Sequence, residues 1–283
     1  MTTFTSPDGT RLAYAEVGAG PPLLCLPGGP GRAAAYLEEL GGLSAERTLV
    51  LLDARATGRS EVPADPASLR FDRLAADVEA LRSHLGLEQA EVLGHSAGAI
   101  VAQAWAAQHP TRVRSLALLT PSDHLQGGTR EDVAQIRAAR GDEPWYADAR
   151  QAELALPDAS PGERRTLERA VRPFFYGRWD EQTQEHAASA DRQMSRRAEL
   201  GFAAGAEQVD TGELLTELGR LDAPVLVVGA ARDGVTGVAA AEHVAACFAR
   251  ARLEVLPAAG HFPWVDEPAA VHTLLRDWLQ SLS

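Results

Sequence analysis

Short apolar runs alternating with helical stretches predict an α/β chain, a mostly parallel sheet flanked by helices, with an inserted helical lid. Three observations carry this expectation. Leu23–Leu26 reads as a buried strand, and Thr48–Leu52, Val113–Thr120, Val225–Gly229 and Leu253–Leu256 as further strands. Phe71–Leu85 places Phe71, Leu74, Ala75, Val78, Leu81 and Leu85 on one helical face, closed by Gly86. Pro121 to about Arg220 holds helical stretches and no good strand, after which sheet periodicity resumes. The expected division is therefore a core of residues 1–120 and 221–283, interrupted by a helical lid at 121–220.

Taken in order, Phe4–Ser6 and Leu12–Val17 flank Pro7-Asp8-Gly9 and read as an opening hairpin that Pro21-Pro22 ends. The strand Leu23–Leu26 runs straight into Pro27-Gly28-Gly29-Pro30-Gly31, and the next strand ends at Asp53. Within the lid, Ser160-Pro161-Gly162-Glu163 supplies a serine cap, a proline at the first helical position and a glutamate that completes a capping box. Helices around Ala239–Ala249 and Pro268–Leu282 close the chain, which shows no internal repeat or low-complexity tract.

Composition narrows the function classes. The 283 residues are 45% hydrophobic, which allows a sizeable core. Acidic residues exceed basic ones by 39 to 27, a net charge of −12, which argues against a phosphate-backbone partner and hence against nucleic acid. Met1–Gly9 lacks a basic start and an apolar stretch, and no segment approaches ~18 uninterrupted apolar residues, so neither a signal peptide nor a membrane span is expected and the expected address is the cytoplasm. Cys25 and Cys247 match no metal-ligand or redox spacing and read as reduced thiols. No cluster has metal-ligand spacing, and the glycine run lacks both G-x-G-x-x-G and a following Lys-Ser/Thr, so no metal and no nucleotide cofactor is expected.

The chemistry concentrates at Ala90–Gln108, where an apolar run enters Gly94-His95-Ser96-Ala97-Gly98 and an alanine-rich helix leaves it. G-x-S-x-G at a strand-to-helix turn puts the serine at an apex so tight that its hydroxyl projects from the sheet edge, with glycines where the two backbones approach most closely. Ser96 is the candidate nucleophile, and Ala97 N–H, at the positive end of the helix, is the first candidate oxyanion donor. Gly29, in the glycine run after an early strand, is the second. A serine needs a base within hydrogen-bond reach and a carboxylate to orient it. His261 and Asp233 both follow strands, whose C-terminal loops gather along one sheet edge. Asp123, past Val113–Thr120, is a rival acid and His124 a rival base, while His95 reads as a packed turn residue.

On these residues the chain resembles the α/β-hydrolase superfamily and, within it, the proline iminopeptidase-related branch. The marks of the branch are Gly28-Gly29-Pro30-Gly31 and Asp53-Ala54-Arg55-Ala56-Thr57-Gly58-Arg59-Ser60, similar to its G-G-P-G and D-x-R-G-x-G-x-S segments. The resemblance implies an α/β-hydrolase fold, a Ser96–Asp233–His261 triad, Gly29 and Ala97 as oxyanion donors, and Asp53 and Arg55 as supports beneath the site. Three positions depart from the branch: Pro27 replaces a histidine, Ala56 replaces a glycine, and no tryptophan follows Ser96. The branch holds its substrate's free amine with acidic lid residues, for which Glu143, Asp180 and Glu181 are the candidates. Lid aromatics, Trp145, Tyr146, Phe174, Phe175, Tyr176 and Trp179, are the candidate pocket lining, although such residues more often pack a lid onto its core. The expected activity is a serine hydrolase acting through an acyl-enzyme on small esters, amides or short peptides, an aminopeptidase of proline iminopeptidase type among them. The alternatives are a carboxylesterase or thioesterase, an acyltransferase or cofactor-free lyase on the same scaffold, and a ligand-binding protein without turnover.

Overall fold

The computed structural model describes residues 2–128 and 130–282. Eight strands form one sheet: β1 (Thr2–Thr5), β2 (Arg11–Val17), β3 (Pro22–Leu26), β4 (Thr48–Leu52), β5 (Ala90–His95), β6 (Val113–Leu119), β7 (Val225–Ala230) and β8 (Ala251–Leu256). Their spatial order is β1-β2-β4-β3-β5-β6-β7-β8, antiparallel at β1/β2 and β2/β4 and parallel from β4 to β8. The mostly parallel sheet and the opening hairpin are thus as the apolar runs indicate. Pro22 opens β3, where a strand's first residue tolerates a missing N–H.

Successive strand residues face opposite layers. Leu24, Leu26, Val92, Leu116, Leu118 and Val227 pack under α1 (Phe71–His84) and α2 (Ala97–Gln108). Leu23, Cys25, Leu93, Ala117, Leu226 and Val228 pack on the other face against Tyr36, Leu37, Leu40 and Leu43 and the last helix. Burial on both faces is why these strands read as continuous apolar runs.

Between β6 and β7 lie α3 (Val133–Ala138), α4 (Tyr146–Ala155), α5 (Pro161–Ala170), α6 (Glu181–Gln193), α7 (Arg196–Phe202) and α8 (Thr211–Gly219). The capping box at Ser160 and Glu163 opens α5. Helix α8 lies inside the stretch assigned to the lid from sequence, yet Leu218 is fully buried in the core layer that holds α2, with Leu214 and Leu215 packed against it. The chain continues with α9 (Gly237–Ala245), α10 (Pro263–Asp266) and α11 (Pro268–Gln280). No helix among the described residues is long and apolar enough to cross a membrane.

Candidate active site

The turn between β5 and α2 holds Ser96 at φ 54°, ψ −117°, in the left-handed half of conformational space that a residue with a Cβ normally avoids. Packing enforces that strain. A Cβ at Gly94 would lie 2.7 Å from the Gly98 carbonyl oxygen, and one at Gly98 would lie 2.6 Å from that of Pro27. Ser96 N–H donates to the Leu119 carbonyl (3.0 Å), and the Ser96 carbonyl accepts from Ala99 N–H (3.0 Å).

His261 lies beyond β8 and Asp233 beyond β7, and both reach the serine. His261 Nε2 is 2.9 Å from Ser96 Oγ, and His261 Nδ1 is 2.9 Å from Asp233 Oδ2. Asp233 is fully buried. Burial alone would raise its pKa, but His261, Thr236 and the Val235 N–H together hold it below the usual carboxylate range. Its Oδ1 accepts from Val235 N–H (2.7 Å) and Thr236 N–H (3.2 Å), and Oδ2 accepts from Thr236 Oγ1 (2.7 Å). An ionised Asp233 can only accept, so His261 Nδ1 carries a proton, leaving Nε2 to accept from the Ser96 hydroxyl. That is the proton arrangement a general base needs.

The glycine run packs directly on the serine, since a Cβ at Gly28 would lie 2.8 Å from Ser96 Cβ. Gly29 has φ 122°, which favours glycine. Gly28 N–H donates to Tyr36 Oη (2.7 Å) and is therefore engaged. Gly29 N–H and Ala97 N–H meet no protein acceptor among the described residues. Asp53 and Arg55 bond framework groups: Asp53 accepts from Ala34 N–H (2.9 Å) and Arg59 N–H (3.0 Å), and Arg55 forms a two-point pair with buried Asp77 (2.7 and 2.6 Å).

The rivals for the acid and base are placed elsewhere. Asp123 is buried but pairs with His243 Nδ1 (3.0 Å), and the exposed His124 opens a short 3-10 turn. His95 is packed, as the last residue of β5, and both its ring nitrogens are engaged. Its Nδ1 is 2.7 Å from Tyr36 Oη and its Nε2 is 2.8 Å from the His261 carbonyl.

The candidate pocket residues between β6 and β7 divide sharply. Trp145 and Tyr146 stack edge-on against Phe174, at 5.3 and 6.0 Å, in a small cluster of their own. Trp179 packs on Tyr176 at 5.5 Å. Phe175 alone among these candidates faces His261, with ring centroids 6.4 Å apart. Glu143 accepts from Arg140 Nε (3.2 Å) and Nη2 (3.1 Å), and Asp180 caps α6 through Thr183 N–H (3.1 Å) while pairing with Arg178. Glu181 is exposed in the first turn of α6.

The strip Phe174–Gly177 does what its side chains did not reveal. The carbonyls of Phe174 and Phe175 accept from Gly234 N–H (3.1 Å) and His261 N–H (2.7 Å), while Gly177 N–H donates to Asp266 (2.8 Å). Both loops that carry the serine's partners are thus buttressed by backbone from the segment between β6 and β7. Thr236 and this strip escaped the sequence reading, and only Thr236, three residues after Asp233, had a local signal as a capping hydroxyl. A cavity of about 30 Å³, lined in part by Gly28, Pro30, Val101 and Phe202, adjoins the glycine run, and one of about 540 Å³ lies between α3 and the loop after β7. Neither is lined by Ser96 or His261. Among the described residues, no group of three or more His, Cys, Asp or Glu side chains is arranged to hold a metal ion.

Comparison with known proteins agrees with this architecture. The chain is 29% identical over 274 residues to a proline iminopeptidase of Levilactobacillus brevis, covering 91% of this chain and 88% of that protein. It is 30% identical over 282 residues to a pimeloyl-[acyl-carrier protein] methyl ester esterase of Chromobacterium violaceum, covering 96% and 99%. Among solved structures, an esterase from Exiguobacterium antarcticum superposes with a TM-score of 0.74 at 20% identity over 99% of both chains, a likeness of fold. The model of the alpha/beta hydrolase fold family matches residues 21–268, most of the chain, and the protein belongs to that family.

Proposed function

We propose that this protein is a serine hydrolase that cleaves small esters or amides through a covalent acyl-enzyme. The observation that carries the reading is the buried hydrogen-bond chain from Ser96 Oγ through His261 to Asp233. In this mechanism His261 takes the Ser96 proton as Oγ attacks the substrate carbonyl, and the carbonyl oxygen becomes an oxyanion held by Gly29 N–H and Ala97 N–H. His261 then returns the proton to the leaving alcohol or amine, and water repeats the cycle on the acyl-enzyme. The relatives include a peptidase and an ester hydrolase, so family membership supports this reaction class without choosing the bond.

Residues 121–220 act as the cap in this reading, with α8 serving as a core helix at its end. Ser96 is 8% exposed and His261 4%, which suits a small substrate that fits beneath a cap and excludes a folded protein. Between peptidase and esterase, the ester reading is the better supported. Glu143 and Asp180 are already engaged by Arg140 and by Arg178 and Thr183, which leaves the amine of an N-terminal prolyl substrate without these two counter-charges.

A fluorophosphonate probe tests the nucleophile. It is expected to label the wild type at Ser96 and to leave Ser96→Ala unlabelled. A wild type that resists the probe would instead favour a ligand-binding protein.

A further inference from the structure

Two fully buried side chains outside the reaction just described connect the parts that carry it. Tyr36 and His95 are each 1% exposed. The direction of every hydrogen bond they make follows from its partners. The His261 carbonyl, 2.8 Å from His95 Nε2, can only accept, so a neutral His95 carries its proton on Nε2 and its Nδ1 accepts from Tyr36 Oη (2.7 Å), which itself accepts from Gly28 N–H (2.7 Å). Thr120 Oγ1 donates to the same carbonyl (2.9 Å). Burial, followed by the neighbouring His261, holds the His95 pKa well below the ordinary histidine value, which agrees with a neutral ring.

The same logic extends outward from Tyr36. Tyr176 Oη donates to His186 Nδ1 (2.8 Å), and His186 Nε2–H donates to the Tyr36 carbonyl (3.0 Å). Arg32 lies over the Tyr36 ring, 4.2 Å from its centroid, and reaches Ser189 Oγ (2.9 Å) and Gln193 Oε1 (2.8 Å) on α6. Asp53 holds Ala34 N–H, at the start of the turn that carries Tyr36.

We propose that Tyr36, acting through His95, is a positioning residue that sets the glycine loop carrying one oxyanion donor and the histidine that serves as base in register with each other. The role rests on the hydrolase reading above. Gly29 follows the residue whose N–H Tyr36 holds, and His261 is held through its own carbonyl, so one phenol hydroxyl spans both halves of the machinery. Removing it leaves Gly28 N–H and His95 Nδ1 buried without partners.

Tyr36→Phe deletes the hydroxyl and keeps the ring against Arg32 and Phe262. On a short-chain p-nitrophenyl ester we expect kcat to fall about 10- to 100-fold with KM changed less than about threefold, because alignment and not binding is lost. The rate of fluorophosphonate labelling at Ser96 should fall in parallel. His95→Gln, whose amide can accept from Tyr36 and donate to the His261 carbonyl, should retain roughly tenfold more activity than His95→Leu. This pair carries the test should Tyr36→Phe fail to fold. Nitrogen NMR of the unmodified protein should show His95 protonated at Nε2 and bare at Nδ1. Wild-type kcat in Tyr36→Phe, equal activity of the two His95 variants, or a proton on His95 Nδ1 would overturn the role. In each case Ser96 labelling of the wild type would leave the hydrolase reading standing, whereas failure of that labelling would remove both.

Discussion

Asp233 and Asp123 both follow a sheet strand, both are buried, and both face a histidine, but only Asp233 faces the histidine that touches Ser96. Asp233→Asn should therefore lower kcat by on the order of 10⁴, the loss expected when the orienting group no longer selects the right tautomer. Asp123→Asn should leave kcat nearly unchanged; steady-state kinetics on one ester compares the two, and a crippled Asp123→Asn enzyme would reverse the assignment. A second residue-scale effect concerns His186. Burial, with Arg32 adding to it, pushes its pKa down to about 4 from the ordinary 6.5. Between those values the unfolded chain binds the proton and the folded chain does not, so stability from this group is full above pH 6.5 and is lost as pH falls toward 4. The difference in unfolding free energy between the wild type and His186→Gln should shift by about 3 kcal/mol across that window. Taking the difference removes Asp266, whose burial raises its carboxyl to about 6 and gives it the opposite slope. A flat difference from urea titrations at pH 4.5 and 7 would show that His186 is not held neutral.

At the scale of elements, the junction of β5 and α2 decides whether Ser96 can occupy its strained conformation. The glycines on either side of it are requirements of contact. Gly98→Ala should cost about 1–3 kcal/mol, because its Cβ meets backbone carbonyls of Leu26 and Pro27 that cannot move without shifting the glycine loop. Activity should fall with stability, since the same loop carries Gly29. A variant with wild-type melting temperature and kcat would mean that the loop yields freely. The helical segment between β6 and β7 meets these loops through backbone: Gly31 carbonyl accepts from Ser195 N–H (2.8 Å), Ala33 N–H donates to the Gln193 carbonyl (3.0 Å), and the Phe174–Gly177 strip holds the loops of Asp233 and His261.

For the whole molecule, the distribution of charge about the site bears on its substrate. Arg32 is buried beside the glycine run and makes only neutral hydrogen bonds among the described residues, with no carboxylate within ion-pair range. Behind burial, its charge adds to the lowering of the His186 pKa, and behind burial and His261 it adds a little to that of His95. A site with that background disfavours a second cation. Short-chain p-nitrophenyl esters should accordingly be cleaved with higher kcat/KM than prolyl naphthylamides with a free amine. A preference for the prolyl amides that is lost in Glu143→Gln or in Asp180→Asn would restore the iminopeptidase reading.

The sheet was legible because its central strands are buried on both faces, and burial of that kind writes itself as short runs of Leu, Val and Ala. Ser96 and its glycines were legible because a sharp strand-to-helix turn admits few residues at those positions. His261 and Asp233 could be placed by topology, since loops after parallel strands share one edge. Other decisions rest on partners distant in sequence. His95 and Tyr36 are 59 positions apart, and His95 and His261 are 166 apart, so no local pattern announces their hydrogen bonds. The aromatic cap stretch drew attention to side chains, whereas its contribution at Phe174–Gly177 is made largely by backbone groups, which look alike in every sequence. Helix α8 belonged to the lid by position and to the core by packing, because Leu214, Leu215 and Leu218 find α2 only once the chain has folded. Local conformational preference and burial period are properties of a sequence; the pairing of buried polar groups is a property of the folded chain, in which each donor must find whichever acceptor the fold brings near it.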